Sequence, residues 1–196
     1  TWSSRMKSDE FDSIIFDCDG VLIDVTKSYD TTINRTISYV LKEIADITVD
    51  TPLTNELLLK FKSTGGFNDE IDITYAGILC FIAAKKLNKD STELILDVIN
   101  NADDSGITYI ENFLGKIDAD ISDVKVRLGY PSTDKNDLIH STFDQLFFGP
   151  ELYSKIFQKE SKFSEKGFIE NDKVIVNFEL IQALKKKFND KIAIVT

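Results

Sequence analysis

The chain has only two cysteines in 196 residues, Cys18 and Cys80, and no Cys-x-x-Cys spacing. That argues against a disulfide framework and a thiolate zinc site, and a reducing, cytoplasmic setting is expected. A single histidine, His140, has no second His or Cys nearby to build a metal centre with it. Basic residues are few as well: 23 Lys and Arg stand against 33 Asp and Glu, a formal net charge of -10. This balance argues against non-specific nucleic-acid binding, which needs clustered cations. An anionic substrate would be repelled over most of the surface, so binding one calls for a local cation, either a side chain or a metal ion. The longest apolar run, "YAGILCFIAA" at 75–84, is too short to cross a bilayer, and the first ten residues lack the apolar core of a signal peptide. No membrane partner is expected. Internal repeats and low-complexity tracts are missing too.

What is present suffices for a folded protein. Hydrophobic residues make up 42% of the chain, enough for the core of one or two domains. "SIIFD" (13–17) is a short apolar run ending at turn residues and reads as a buried strand. From Lys27 to Asp46, Ile33, Ile37, Val40, Leu41 and Ile44 recur at helical spacing. Further helices are expected over roughly 54–63, 69–87, 91–102, 107–115, 120–128, 135–148 and 151–158. Their connections are short and carry Gly, Pro, Asn or Asp.

Toward the C-terminus the character shifts. Residues 172–190 read as one helix with Val176, Leu180, Ile181, Leu184 and Phe188 inward, and Lys185 to Lys187 suit its C-terminal end. "KIAIVT" (191–196) reads as a second buried strand, apolar on both faces. A helix leading into such a strand suggests parallel pairing. The expected fold class is therefore α/β: a parallel-sheet core from segments 1–24 and 172–196, with an all-helical domain inserted over 25–171. Two strands alone cannot bury both sheet faces, so further core strands are expected after Thr196.

The stretch "DCDGVLID" (17–24) follows the first strand. Asp17 falls at the strand's C-terminal end, where open α/β sheets place their ligands. Side chains at i and i+2 of an extended segment point the same way, so Asp17 and Asp19 can converge on one site. Gly20 permits the tight turn. Two carboxylates so close repel each other unless a cation or proton lies between them, and Mg2+ suits oxygen ligands. A carboxylate can serve as nucleophile in phosphoryl transfer, and its neighbour can protonate the leaving alcohol.

"FDCDGVLID" resembles motif I of the haloacid dehalogenase-like (HAD) hydrolases, an apolar strand followed by DxDGxL. The resemblance implies a Rossmann-like core, with Asp17 as nucleophile and Asp19 as general acid and base. It places Mg2+ on the Asp17 carboxylate and the Asp19 backbone carbonyl. The family's second motif, an apolar strand ending in Thr or Ser, is similar to "KIAIVT" and gives Thr196 the role of binding the phosphoryl group, beside Gly20. A helical cap inserted between these motifs fits the long middle segment. The implied activity is Mg2+-dependent hydrolysis of a small phosphorylated metabolite through an aspartyl-phosphate. A motif III Lys and a motif IV acidic pair would follow motif II, so the chain as given is expected to end before them and to be inactive or nearly so by itself.

Within the middle segment, "STGGFNDE" (63–70) offers two readings. One is a loop and helix start, with Asn68 as cap and Asp69 and Glu70 in the first turn. The other, implied by the resemblance, is a substrate-selecting cap loop contacting ligand through Gly66, Phe67 and Asn68, similar to a phosphoglycolate-phosphatase-like subgroup. "NADDSGITYIEN" (101–112) has calcium-loop spacing at its start but Asn112 where a bidentate Glu is needed, so a helix-to-helix turn is expected. Arg127 and Lys125 read as a solvated face. Asp19 argues against dehalogenation, and no lysine stands out for phosphonate hydrolysis. A sugar-phosphate mutase and a non-catalytic binding or interaction module remain the alternatives.

Overall fold

A computed structural model describes residues 11–67, 69–130, 137–189 and 191–195. The chain forms two units: an α/β unit from the terminal segments, up to Lys27 and from Asn171 onward, and a helical unit over Ser28–Glu170.

In the α/β unit, strand β1 (Ile14–Asp17) pairs in parallel with β4 (Ile192–Val195), in register from Ile14↔Ile192 to Asp17↔Val195. The β-branched Ile and Val residues favour these strands. A second, antiparallel ladder joins β2 (Ile23–Asp24) to β3 (Lys173–Val174). Helix α8 (Phe178–Phe188) leads into β4.

Two expectations are corrected here. The helix does not begin at residue 172: Val174, Ile175 and Val176 are three β-branched residues in a row, and Val174 pairs with Ile23 instead. Asn177 then caps α8 by accepting from the Leu180 N–H at 2.8 Å. Nor are the parallel strands buried on both faces. Ile15, Ile194 and Val195 are more than half exposed, because the described sheet has only two strands. Of the inward positions expected on α8, Phe188 is buried, whereas Leu180 and Ile181 are exposed. Ile181, Leu184 and Val176 line an open apolar groove of about 390 Å³ with Phe16, Leu22 and Ile192.

The helical unit is built around α3 (Glu70–Leu87), which is buried from Ile73 through Ala84 without a break. Such a helix, apolar all round, belongs at the centre of a bundle. Its ends are fixed by Asp69, which accepts from the Ile71 N–H, and by Asn88 in the left-handed conformation. Helix α1 (Thr26–Ala45) buries Ile33, Ile37, Val40 and Leu41 along one stripe. Helices α2 (Asn55–Ser63), α4 (Ser91–Asn101), α5 (Ile107–Lys116) and α6 (Ser122–Leu128) complete the bundle with α7 (Leu138–Phe157). Helix α7 is broken at Gly149 and Pro150, since proline lacks the N–H that would continue the ladder. Among the described residues no helix is long and apolar enough to cross a membrane.

Candidate active site

The acidic turn is built by the backbone. The Cys18 N–H donates to the Val195 carbonyl at 3.0 Å, carrying the β1–β4 ladder one step past Asp17. The Cys18 carbonyl then accepts from the Leu22 N–H at 2.8 Å and the Ile23 N–H at 3.1 Å, so the chain wraps tightly around it. Gly20 takes φ 74°, a left-handed conformation that a side chain would strain, and donates its N–H to the Ile23 carbonyl at 2.7 Å. Its N–H is thus committed to the turn.

Asp17 and Asp19 flank Cys18 on this turn, and both are exposed. Among the described residues neither carboxylate has a hydrogen-bond or ion-pair partner. Asp24 behaves differently. Its Oδ1 accepts from the Thr26 N–H at 3.1 Å, and that bond, with Lys173 nearby, holds its carboxyl below the ordinary aspartate range. Asp24 therefore closes the turn into α1. Thr196 lies outside the described residues. Val195, which precedes it, is the register partner of Asp17.

Chemically, the turn presents two free carboxylates at the C-terminal end of a parallel strand. These are hard oxygen donors of the kind Mg2+ takes. Among the described residues no group of three or more His, Cys, Asp or Glu is placed to hold a metal.

The "STGGF" stretch belongs to the helical unit, and its placement corrects one expectation. Phe67 is fully buried, edge-on to Phe61 with ring centroids 5.3 Å apart. An apolar ring at this loop is better satisfied inside the bundle than in water, so its side chain is core. Gly66 is held by packing: a Cβ there would sit 2.7 Å from the Gly106 nitrogen and 2.8 Å from the Asp103 carbonyl oxygen. Asn68 lies outside the described residues, and the cap of α3 that was expected from it is made by Asp69.

Sequence reading missed a polar group beside this loop. Lys62 stands 3.6 Å from Asp30 and 3.9 Å from Glu70, bringing together α1, the end of α2 and the start of α3. Asp30 Oδ1 is buried without a hydrogen bond, and burial raises its pKa against the opposing pull of Lys62. Asp30 lies more than thirty positions before Lys62, and Glu70 lies across the loop from it, so no local helical spacing links the three.

The remaining candidates are structural. The 103–106 segment is a turn in which Asp103 Oδ1 accepts from the Ser105 N–H at 2.9 Å. His140 Nδ1 lies 2.7 Å from Asp137 Oδ2, and the other oxygen of Asp137 caps α7. Lys125 pairs with Glu111 at 2.7 Å, and Arg127 donates to the Ile44 carbonyl at 2.6 Å.

No protein-family model and no curated protein sequence matches the chain. Two solved structures share its fold. Phosphatase Tt82 from Thermococcus thioreducens is 23% identical with a TM-score of 0.59, over 93% of this chain and 61% of that one. A target of the Northeast Structural Genomics Consortium is 16% identical with a TM-score of 0.58, over 94% of this chain and 62% of that one. The chain thus spans about three-fifths of the length of each.

Proposed function

We propose that Asp17 and Asp19 are the nucleophile and the general acid–base of a HAD-type, Mg2+-assisted phosphatase acting on a small phosphorylated metabolite in the cytoplasm. One observation carries this reading: two exposed carboxylates, without partners among the described residues, on a glycine-dependent turn at the C-terminal end of a parallel strand. Likeness in fold to a solved phosphatase supports it.

In the first step an Asp17 oxygen attacks phosphorus, the bond from phosphorus to the ester oxygen breaks, and Asp19 gives its proton to the departing alcohol. In the second, water attacks the phosphorus of the aspartyl-phosphate, Asp19 takes the water's proton, and Asp17 is released with inorganic phosphate. Bound Mg2+ would neutralise negative charge on the two carboxylates and the phosphoryl group. The turn's hydrogen bonds hold the backbone that carries the two acids, which supports the reading because phosphoryl transfer relies on positioning. The residue at 196 follows the register partner of Asp17 and is assigned to hold the phosphoryl oxygens.

The test is turnover of p-nitrophenyl phosphate by the whole protein that carries this chain, with Mg2+ and with EDTA. Activity that needs Mg2+ and is lost in Asp17→Asn, with an unchanged circular dichroism spectrum, is expected. Turnover that survives Asp17→Asn would remove Asp17 from the mechanism. Binding of phosphate esters without turnover would favour a non-catalytic module.

A further inference from the structure

Exposed apolar side chains are concentrated in one part of this protein. Among the described residues fourteen large hydrophobic side chains are exposed, and ten of them belong to the α/β unit. Of that unit's described apolar side chains, Phe188 alone is buried. Apolar surface gathered in this way marks a contact with another protein surface.

Helix α8 joins this surface to a charge pattern. Phe178, Ile181, Gln182 and Lys185 stand at positions i, i+3, i+4 and i+7, on one face of it. Phe178 is 72% exposed, and Ile181 is exposed beside it. Val174 and Ile175, both more than half exposed, precede the helix. Glu179 and Lys186 lie along one flank of the same face, the acid in the first turn and the base in the last. Among the described residues the side chains of Glu179, Lys185 and Lys186 have no hydrogen-bond or ion-pair partner. Acid first and base last also suits the helix's own dipole. Here, in addition, the charges flank an exposed phenylalanine and isoleucine, whose contact with water is unfavourable.

The pattern is complementary to itself when one copy is turned end over end. A two-fold axis beside Gln182 sets Phe178 of each copy along the aliphatic stem of Lys185 of the partner subunit, and Glu179 against the partner's Lys186. Such an interface is isologous, so each contact forms twice. The net charge of -10 on the whole chain opposes association, but in the described part of the α/β unit six basic side chains balance six acidic ones.

We propose that this face of α8 is a self-association surface, covered by the same face of a second copy in antiparallel orientation. One side of an eleven-residue helix is small beside a standard interface, so dimer and monomer exchange freely. None of these residues belongs to the acidic turn, so the proposal stands or falls independently of the phosphatase reading.

The experiment is sedimentation equilibrium of the whole protein that carries this chain, from micromolar to near-millimolar concentration. The mass should rise with concentration from one copy toward two. Glu179→Lys and Lys186→Glu each set like charges against one another in a homodimer and should weaken it roughly tenfold. Mixing the two variants in equal amounts restores opposite charges in both pairs, and the mixture should dimerise as strongly as the unaltered protein. Phe178→Ser should weaken association roughly tenfold as well. All three side chains are exposed, and circular dichroism will verify the fold. A monomer at every concentration, the result expected if another segment of the same protein or a different protein covers α8, would overturn the proposal. So would a dimer that neither charge reversal weakens, or a mixture that associates no better than either variant by itself.

Discussion

Replacing Gly106 with alanine should destabilise the helical unit strongly, and the reason is local. Gly106 has φ 57° and ψ -117°, a combination that alanine adopts only under strain of about 1–3 kcal/mol. A Cβ there would also lie 2.2 Å from the Gly66 carbonyl oxygen. That oxygen belongs to the backbone, so it cannot rotate aside as a side chain could, and overpacking adds about 1–3 kcal/mol. The expected total loss is about 2–6 kcal/mol, a fall in Tm of roughly 5–20 °C. Gly115→Ala is the control. It lies inside α5, nothing stands within 4 Å of its Cβ position, and alanine should add about 0.5–1 kcal/mol of stability. Thermal and urea unfolding followed by circular dichroism will read both. Gly106→Ala within about 1 kcal/mol of the unaltered chain would refute the backbone contact and reopen Gly66 as a position kept free for ligand.

Three further outcomes follow from particular side chains. Cys80 is fully buried and its thiol is pushed up to about 12 by burial, whereas Cys18 is half-buried; a thiol reagent should modify one cysteine quickly and the second only as the protein unfolds, and equal rates would contradict this placement. Burial raises the Asp72 pKa, with Asp69 adding to the shift and the Tyr130 hydrogen bond and His140 opposing it. Its folded form therefore holds a proton more tightly than its unfolded form. Its contribution is most favourable below the unfolded pKa and is lost as pH rises through the folded one. Asp72→Asn should accordingly gain stability at neutral pH, with the gain shrinking as pH falls through that range; a pH-independent effect in urea unfolding would be inconsistent with the shift. Asn177→Ala removes the cap of α8 and should cost about 1 kcal/mol, seen as faster hydrogen exchange at the first amides of that helix.

The helices were legible where packing and local pattern agree. The stripe Ile33, Ile37, Val40 and Leu41 marks α1 because one face of it is buried. The break at Pro150 was legible for a different reason, the missing N–H. The β2–β3 ladder was not, because each strand has two residues and its partner lies about 150 positions away in the chain, too little pattern to read. Extending α8 back to residue 172 followed helical spacing at Val176 and overlooked Asn177, whose side chain ends the strand-like run and starts the helix. At the candidate site, the strand, the two acids and Gly20 are neighbours in sequence, so the turn could be read directly. Phe67 could not: between glycines and polar residues it looks available to a ligand, and only the folded bundle shows it against Phe61. The Asp30–Lys62–Glu70 group needed three helices to be assembled before it existed.

The central claim is that the Asp17 carboxylate takes up a phosphoryl group. The most direct measurement is mass-spectrometric peptide mapping of the whole protein, acid-quenched during turnover of a phosphate ester with Mg2+. A single phosphoryl adduct on the peptide containing Asp17, absent from Asp17→Asn, is the result this account predicts. Active protein whose adduct falls on another residue, or which carries none at any time during turnover, would contradict it.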